Sequence, residues 1–175
     1  EIVAEFKDYL IKGDMILKEV VDIGEDETTG ELWDRLSKIG GKLLVNTLKL
    51  IESGNAPREK QGDDFTIAPM LEKEMAQINW NEKTALEIKN LVRGLNPIMG
   101  AITLFNGKKI KFWKVEVLSD EELINKFPEL EEYRFKIKEL APGCVMFASD
   151  KKGLYIKANE GIISVLEIQG ENAKR

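Results

Sequence analysis

Residues 101–118, AITLFNGKKIKFWKVEVL, decide the fold. Two apolar runs flank Asn106-Gly107, the dipeptide best suited to the two positive-φ positions of a type I′ turn, and together they predict a β-hairpin. In the second run Ile110 and Phe112 share one phase of the two-residue alternation, and Val115 and Val117 share the other. Side chains cannot change phase along a strand without an extra residue, so a bulge or barrel bend is expected near Trp113. Of the adjacent rings, Phe112 is the expected core member, and either ring has the chemistry to stack a base. The same run carries Lys108, Lys109, Lys111 and Lys114. Two readings of these lysines stand side by side: contacts to RNA phosphates, or a solvated strand whose cations guard a sheet edge.

Working outward, the segment before the hairpin reads as a helix. Thr84 and Glu87 have capping-box spacing, Ile88, Leu91, Val92 and Leu95 form an apolar stripe, and Gly94, Asn96 and Pro97 close it. Arg93 has two uses open to it, a phosphate or its own helix C-terminus, where a cation gains about 0.3–1 kcal/mol. Asn96 reads as turn chemistry, and Trp80 as packing in the corner before the helix. Further upstream, Thr28 and Glu31 repeat the capping-box spacing. Leu32, Leu36, Ile39, Leu43, Leu44, Leu48 and Ile51 then recur at helical period, with Gly54 as C-cap. Gly40-Gly41 inside that pattern suggests close packing against a neighbour. Residues 15–23 are rich in β-branched residues and predict a strand, while 55–77 lack a period and read as a connector.

Downstream, residues 119–138 read as a charged insertion with a helix over Glu121 to Phe127, its acidic segment 119–132 as solvated. Its acids could orient an RNA by repulsion. CVMFAS, LYIKA and IISVLEIQ follow, separated by turn residues, and predict a small barrel or Greek key.

Bulk properties narrow the function. The chain has 175 residues, 43% hydrophobic and 33% charged, with no apolar run near membrane-spanning length and no signal-peptide pattern. Cys144 is the only cysteine and reads as a small buried hydrophobe; the expected compartment is the cytoplasm. There is no histidine, which removes the commonest general base and most zinc sites. The first residue is Glu1, so a partial sequence is expected. Charge is uneven: residues 1–77 hold 10 Lys+Arg against 17 Asp+Glu, and residues 78–175 hold 16 against 14. A net-acidic chain with a locally basic face suits a defined RNA contact better than indiscriminate nucleic-acid binding.

Several stretches together resemble the methionyl-tRNA formyltransferases. They are Thr29-Gly30-Glu31-Leu32-Trp33-Asp34-Arg35-Leu36, Ala68-Pro69 with Lys73-Glu74 and Ile78-Asn79-Trp80, Arg93-Gly94-Leu95-Asn96-Pro97 with Gly100-Ala101, Gly107-Lys108 through Trp113-Lys114, and Leu166-Glu167-Ile168-Gln169. The resemblance runs from about Gly13 to Gln169. It implies a mixed α+β chain: residues 1–54 as the tail of a Rossmann-like formyltransferase domain (strand plus helix), 55–77 as linker, and 78–175 as an OB-like barrel with one leading helix and a charged insertion at 119–138. It also implies 10-formyltetrahydrofolate as co-substrate and initiator methionyl-tRNA as partner, with a monomer expected and neither DNA nor membrane. Arg93, Lys108, Lys109, Lys111 and Lys114 become the expected tRNA contacts, and Asp14 lies near the expected folate edge. The family's catalytic Asn and His have no counterpart here, and Ile11 stands where the family places its catalytic Asp. An aliphatic side chain accepts no proton, so this chain by itself is expected to be inactive. The alternatives are a non-catalytic RNA-binding barrel, or the C-terminal module of another amine formyltransferase such as one for amino-sugar nucleotides.

Overall fold

The computed structural model describes residues 14–62 and 68–174. The chain divides into two compact units, one formed by Glu1–Glu25 with Glu31–Met70 and the other by Asp26–Gly30 with Leu71–Arg175.

The first unit is dominated by helix α1, Thr29–Glu52. Its end follows the expected Gly54 cap: Gly54 has φ of +73°, its N–H donates to Ile51 O at 3.1 Å, and Asn55 N–H donates to Leu50 O at 3.0 Å. This pairing satisfies carbonyls that the last helical turn would leave open. Gly40 and Gly41 continue the helix, but a Cβ on either would meet nothing within 4 Å. The close packing expected there is therefore absent among the described residues. In place of the strand expected over 15–23, the backbone makes one bridge, Met15 with Glu59, flanked by a Lys18–Glu59 ion pair of 2.8 Å. A β-rich sequence forms a strand only against a partner strand, and among the described residues Glu59 alone offers pairing to this segment.

The second unit is built around an antiparallel five-stranded sheet. Helix α2, Ala85–Gly94, starts with the expected capping box between Thr84 and Glu87 and buries Ala85, Ile88 and Val92. Strands β1 (Ala101–Phe105) and β2 (Lys108–Leu118) form the hairpin, with Phe105 opposite Lys108 and positive φ at both Asn106 and Gly107. Strands β3 (Val145–Ser149), β4 (Gly153–Lys157) and β5 (Ile162–Gln169) complete the sheet in the order β1-β2-β5-β4-β3. β2 lies between β1 and β5, pairing with β1 over Lys108 to Phe112 and with β5 from Lys111 to Leu118. The β5 pairing shifts register on either side of Lys114, where the phase change required a bulge.

The principal core lies between α2 and the sheet. Phe112, Val115, Ile156 and Ile163 meet Ile88, Val92 and Leu95 there. The short 3₁₀ turn Lys73–Ala76 enters it too: Ala76 and Ile78 are buried, and Ile78 N–H donates to Ile102 O at 2.8 Å. Trp80 takes its expected corner, donating from Nε1 to Thr103 Oγ1 at 3.0 Å with its ring edge-on to Phe112.

The segment after β2 departs from expectation. It forms α3 (Asp120–Lys126), a 3₁₀ turn over Pro128–Tyr133 and α4 (Arg134–Glu139). This is not a solvated insertion: Leu123, Phe127, Tyr155 and Ile162 make a second core against the sheet. Most of its charges face water while Leu123, Phe127 and Ile137 point inward, the first two at the four-residue spacing of a helical face.

Candidate nucleic-acid interface

The β1–β2 hairpin sorts its side chains by pleat. Ile110 and Phe112 turn toward α2, which places Lys109 and Lys111 on the opposite face. Lys108 follows the turn directly, and Lys114 occupies the bulge opposite Glu167. Lys108, Lys109 and Lys114 are exposed; Lys111 is half-buried, its ammonium 5.5 Å from the centre of the Trp113 ring.

Neither aromatic expected to stack bases can do so. Phe112 and Trp113 are only 1% and 6% exposed. The bulge turns Trp113 inward as well as Phe112, so both rings are covered. Trp113 Nε1 donates to Gln169 Oε1 at 3.0 Å, and the ring rests on Gly100. The aromatic the hairpin does present is Phe105, 55% exposed and opposite Lys108. It was not among the residues expected from sequence, although its position beside Asn106-Gly107 at the hairpin tip was the signal.

Arg93 is drawn into a second cluster, formed with the Asp26–Gly30 segment of the same unit. Its Nε donates to Asn90 Oδ1 at 2.8 Å and its Nη1 to Glu27 O at 3.1 Å. Thr29 Oγ1 donates to Gly94 O at 2.7 Å, and Gly30 N–H to Asn96 O at 3.1 Å, so this segment also caps the C-terminal end of α2. Asn96 does more than turn the chain: its Nδ2 donates to Trp113 O at 2.8 Å and ties the loop to β2. Lys89, one helical turn before Arg93, contacts Asp26 Oδ1 at 2.5 Å. The hydrogen bond and charge of Lys89 hold the Asp26 carboxyl below its ordinary range, with smaller help from Lys114 and Arg93. Lys89 was not among the expected site residues; its partner lies 63 positions away, beyond the reach of local sequence pattern.

The structure thus places Lys108, Lys109, Lys111 and Lys114 along β2, and sets Arg93 apart in the cluster with Lys89 and the Asp26–Gly30 segment. Asp14 is exposed, beside the Met15–Glu59 bridge in the first unit. Ile11 lies outside the described residues. Among the described residues no three Cys, Asp or Glu side chains gather as a metal site, and no helix is long and apolar enough to cross a membrane.

Comparison with known proteins gives this geometry a context. Residues 70–175 match the family model described as formyl transferase, C-terminal domain. A methionyl-tRNA formyltransferase of Agathobacter rectalis is 37% identical over 164 residues, which is 93% of this chain and 47% of that protein. That of Alkaliphilus oremlandii is 38% identical over 167 residues, 95% of this chain and 48% of that protein. The chain therefore spans about half the length of the relatives it matches. Among solved structures, a variant of HypX from Aquifex aeolicus superposes with a TM-score of 0.60 over 89% of this chain and 25% of that one, at 14% identity. At that identity the likeness is one of fold.

Proposed function

The chain belongs to the formyl transferase C-terminal domain family, and from that premise we propose that it serves a methionyl-tRNA formyltransferase as its tRNA-holding part. In this reading a formyl group passes from 10-formyltetrahydrofolate to the amine of initiator methionyl-tRNA in the cytoplasm, with the chain acting as a monomer. The observation that carries the reading is the row of Lys109 and Lys111 on one face of a hairpin whose other face is anchored in the core by Ile110 and Phe112. A rigid, cationic strand holds phosphates in a fixed register without reading bases, which suits a domain that positions a tRNA for chemistry elsewhere.

The chemistry itself has no carrier among these 175 residues. Formyl transfer needs a group to take the proton from the attacking amine and donors to stabilise the oxyanion. The chain holds no histidine, and Ile11 supplies no acid or base. We assign no catalytic residue to it, and propose Asp14 as a residue near the folate edge.

The test is binding of initiator tRNA across a salt series. Charge reversal at Lys109 and Lys111 together is expected to weaken binding and flatten the salt slope, by about 0.7–0.9 for each phosphate no longer neutralised. Binding that ignores salt and both substitutions would count against an RNA role. Formylation of methionyl-tRNA by this chain alone would overturn the assignment of holding without chemistry.

A further inference from the structure

The contact between Lys89 and Asp26 has an unusual distribution of solvent. The Lys89 side chain is 20% exposed, whereas that of Asp26 is 82% exposed. The lysine side chain is largely covered, and the exposed carboxylate is held by its ion pair with Lys89 rather than by packing. Lys89 and Arg93 are four residues apart on α2 and share one face of it. Lys89 is the cation paired with the carboxylate, while Arg93 holds the neighbouring Glu27 carbonyl.

The backbone around Asp26 is fixed independently of that carboxylate. Arg93 holds Glu27 O, and Thr29 and Gly30 are bonded to Gly94 and Asn96. The carboxylate can therefore leave by side-chain rotation alone, with its main chain in place. Carboxylate and phosphate oxygens both accept charge-assisted hydrogen bonds from an ammonium in similar geometry. What Asp26 now does for Lys89, an RNA phosphate can do as well, and with the gain of released counterions.

We infer that Lys89, with Arg93 one turn further along α2, is a phosphate-binding position for RNA that Asp26 fills in the free protein, so that Asp26 competes with the RNA for it. This rests on the tRNA-holding reading and extends it from the hairpin to α2. The consequence is a moderated affinity: the domain engages this second position only when the RNA delivers a phosphate in register with the lysines of the hairpin.

The experiment is a binding cycle with the full chain and initiator tRNA at a fixed ionic strength of about 0.15 M, where the Debye length is about 8 Å. Asp26→Asn is expected to tighten binding about three- to tenfold, as removal of a competing charge at a close charge pair does. Glu52→Gln changes net charge equally but lies exposed at the end of α1, and is expected to leave affinity within about twofold, because exposed charges act little beyond a Debye length. Lys89→Gln weakens binding, and in the double variant the gain from Asp26→Asn disappears. Asp26→Ser repeats the arm should the Asn variant fold poorly. A gain that survives in the Lys89→Gln background, or no gain at all, overturns the inference and leaves the tRNA reading intact. Absence of salt-dependent tRNA binding by the unaltered chain removes both.

Discussion

Trp113 lies close enough over Gly100 that a Cβ on Gly100 would stand 3.2 Å from three carbons of its six-membered ring. The glycine also has φ of +69°, a conformation that other residues adopt at a cost. Two demands therefore meet at one position: the turn out of α2 requires the left-handed backbone, and the indole requires the missing side chain. Trp113 has little room to yield, since Nε1 is bonded to Gln169 and its carbonyl to Asn96. Gly100→Ala is expected to cost about 1–3 kcal/mol of unfolding free energy. Gly107→Ala shares the backbone demand, with φ of +76°, but its Cβ would meet nothing within 4 Å. Chemical denaturation of both variants separates the terms, and equal losses would show that the indole contact contributes nothing.

The second core makes a prediction that a solvated insertion would not. Phe127 packs edge-on against Tyr155 at 5.3 Å between ring centres and against Phe147 at the same separation. Truncating a buried aromatic of this kind typically removes about 3–5 kcal/mol. Phe127→Ala is expected to fall in that range by urea unfolding, and Leu123→Ala to lose about 2–5 kcal/mol. Losses near zero in both would return residues 119–138 to the status of a surface insertion.

The contrast between the hairpin and this excursion shows what the sequence could disclose. Asn106-Gly107 demands one turn type, Thr84 with Glu87 supplies both halves of a cap, and alternation places Ile110 and Phe112; all are local, and all appear in the structure. The strand expected at 15–23 failed because strand formation depends on a partner the local pattern cannot supply. Dense charge over 119–138 hid an inward face of apolar residues, though Ser119 and Glu122 already had capping-box spacing. Trp113 was ambiguous because a bulge decides its face, and a bulge is visible only as a broken phase. Lys89 with Asp26, Arg93 with Glu27, and Asn96 with Trp113 were illegible for one shared reason: each joins residues that only tertiary folding brings together.

Two capping boxes give a pH signature. Backbone and side-chain hydrogen bonds from Thr84 hold the Glu87 carboxyl below its ordinary value of 4.5, and those from Ser119 do the same for Glu122. A carboxyl depressed by folding contributes stability that is complete above its unfolded value and is lost as pH falls through its folded value. The contribution of both caps therefore declines below about pH 4.5 and not on the alkaline side. Glutamine can close the same box without titrating. The Glu87→Gln and Glu122→Gln double variant is expected to lose melting temperature less steeply than the unaltered chain between about pH 5 and pH 2. Parallel melting curves across that range would sink the assignment.

Phe105 offers a test in which RNA binding and folding part company. Its ring is exposed at the hairpin tip opposite Lys108, so it adds little to the core, and its replacement should disturb folding only slightly. An exposed aromatic next to a cation on a rigid turn is the combination that lets a base stack while its phosphate is held. Phe105→Ala is expected to weaken binding of initiator tRNA by about 1–3 kcal/mol, the usual worth of one stacked base. Unlike changes at Lys109 or Lys111, it should leave the salt slope unaltered, because no counterion is released at an uncharged ring. Phe105→Tyr keeps the stacking face and should restore affinity. A loss of melting temperature as large as that of Phe127→Ala would instead mark Phe105 as structural, and unchanged affinity would confine the interface to phosphate contacts.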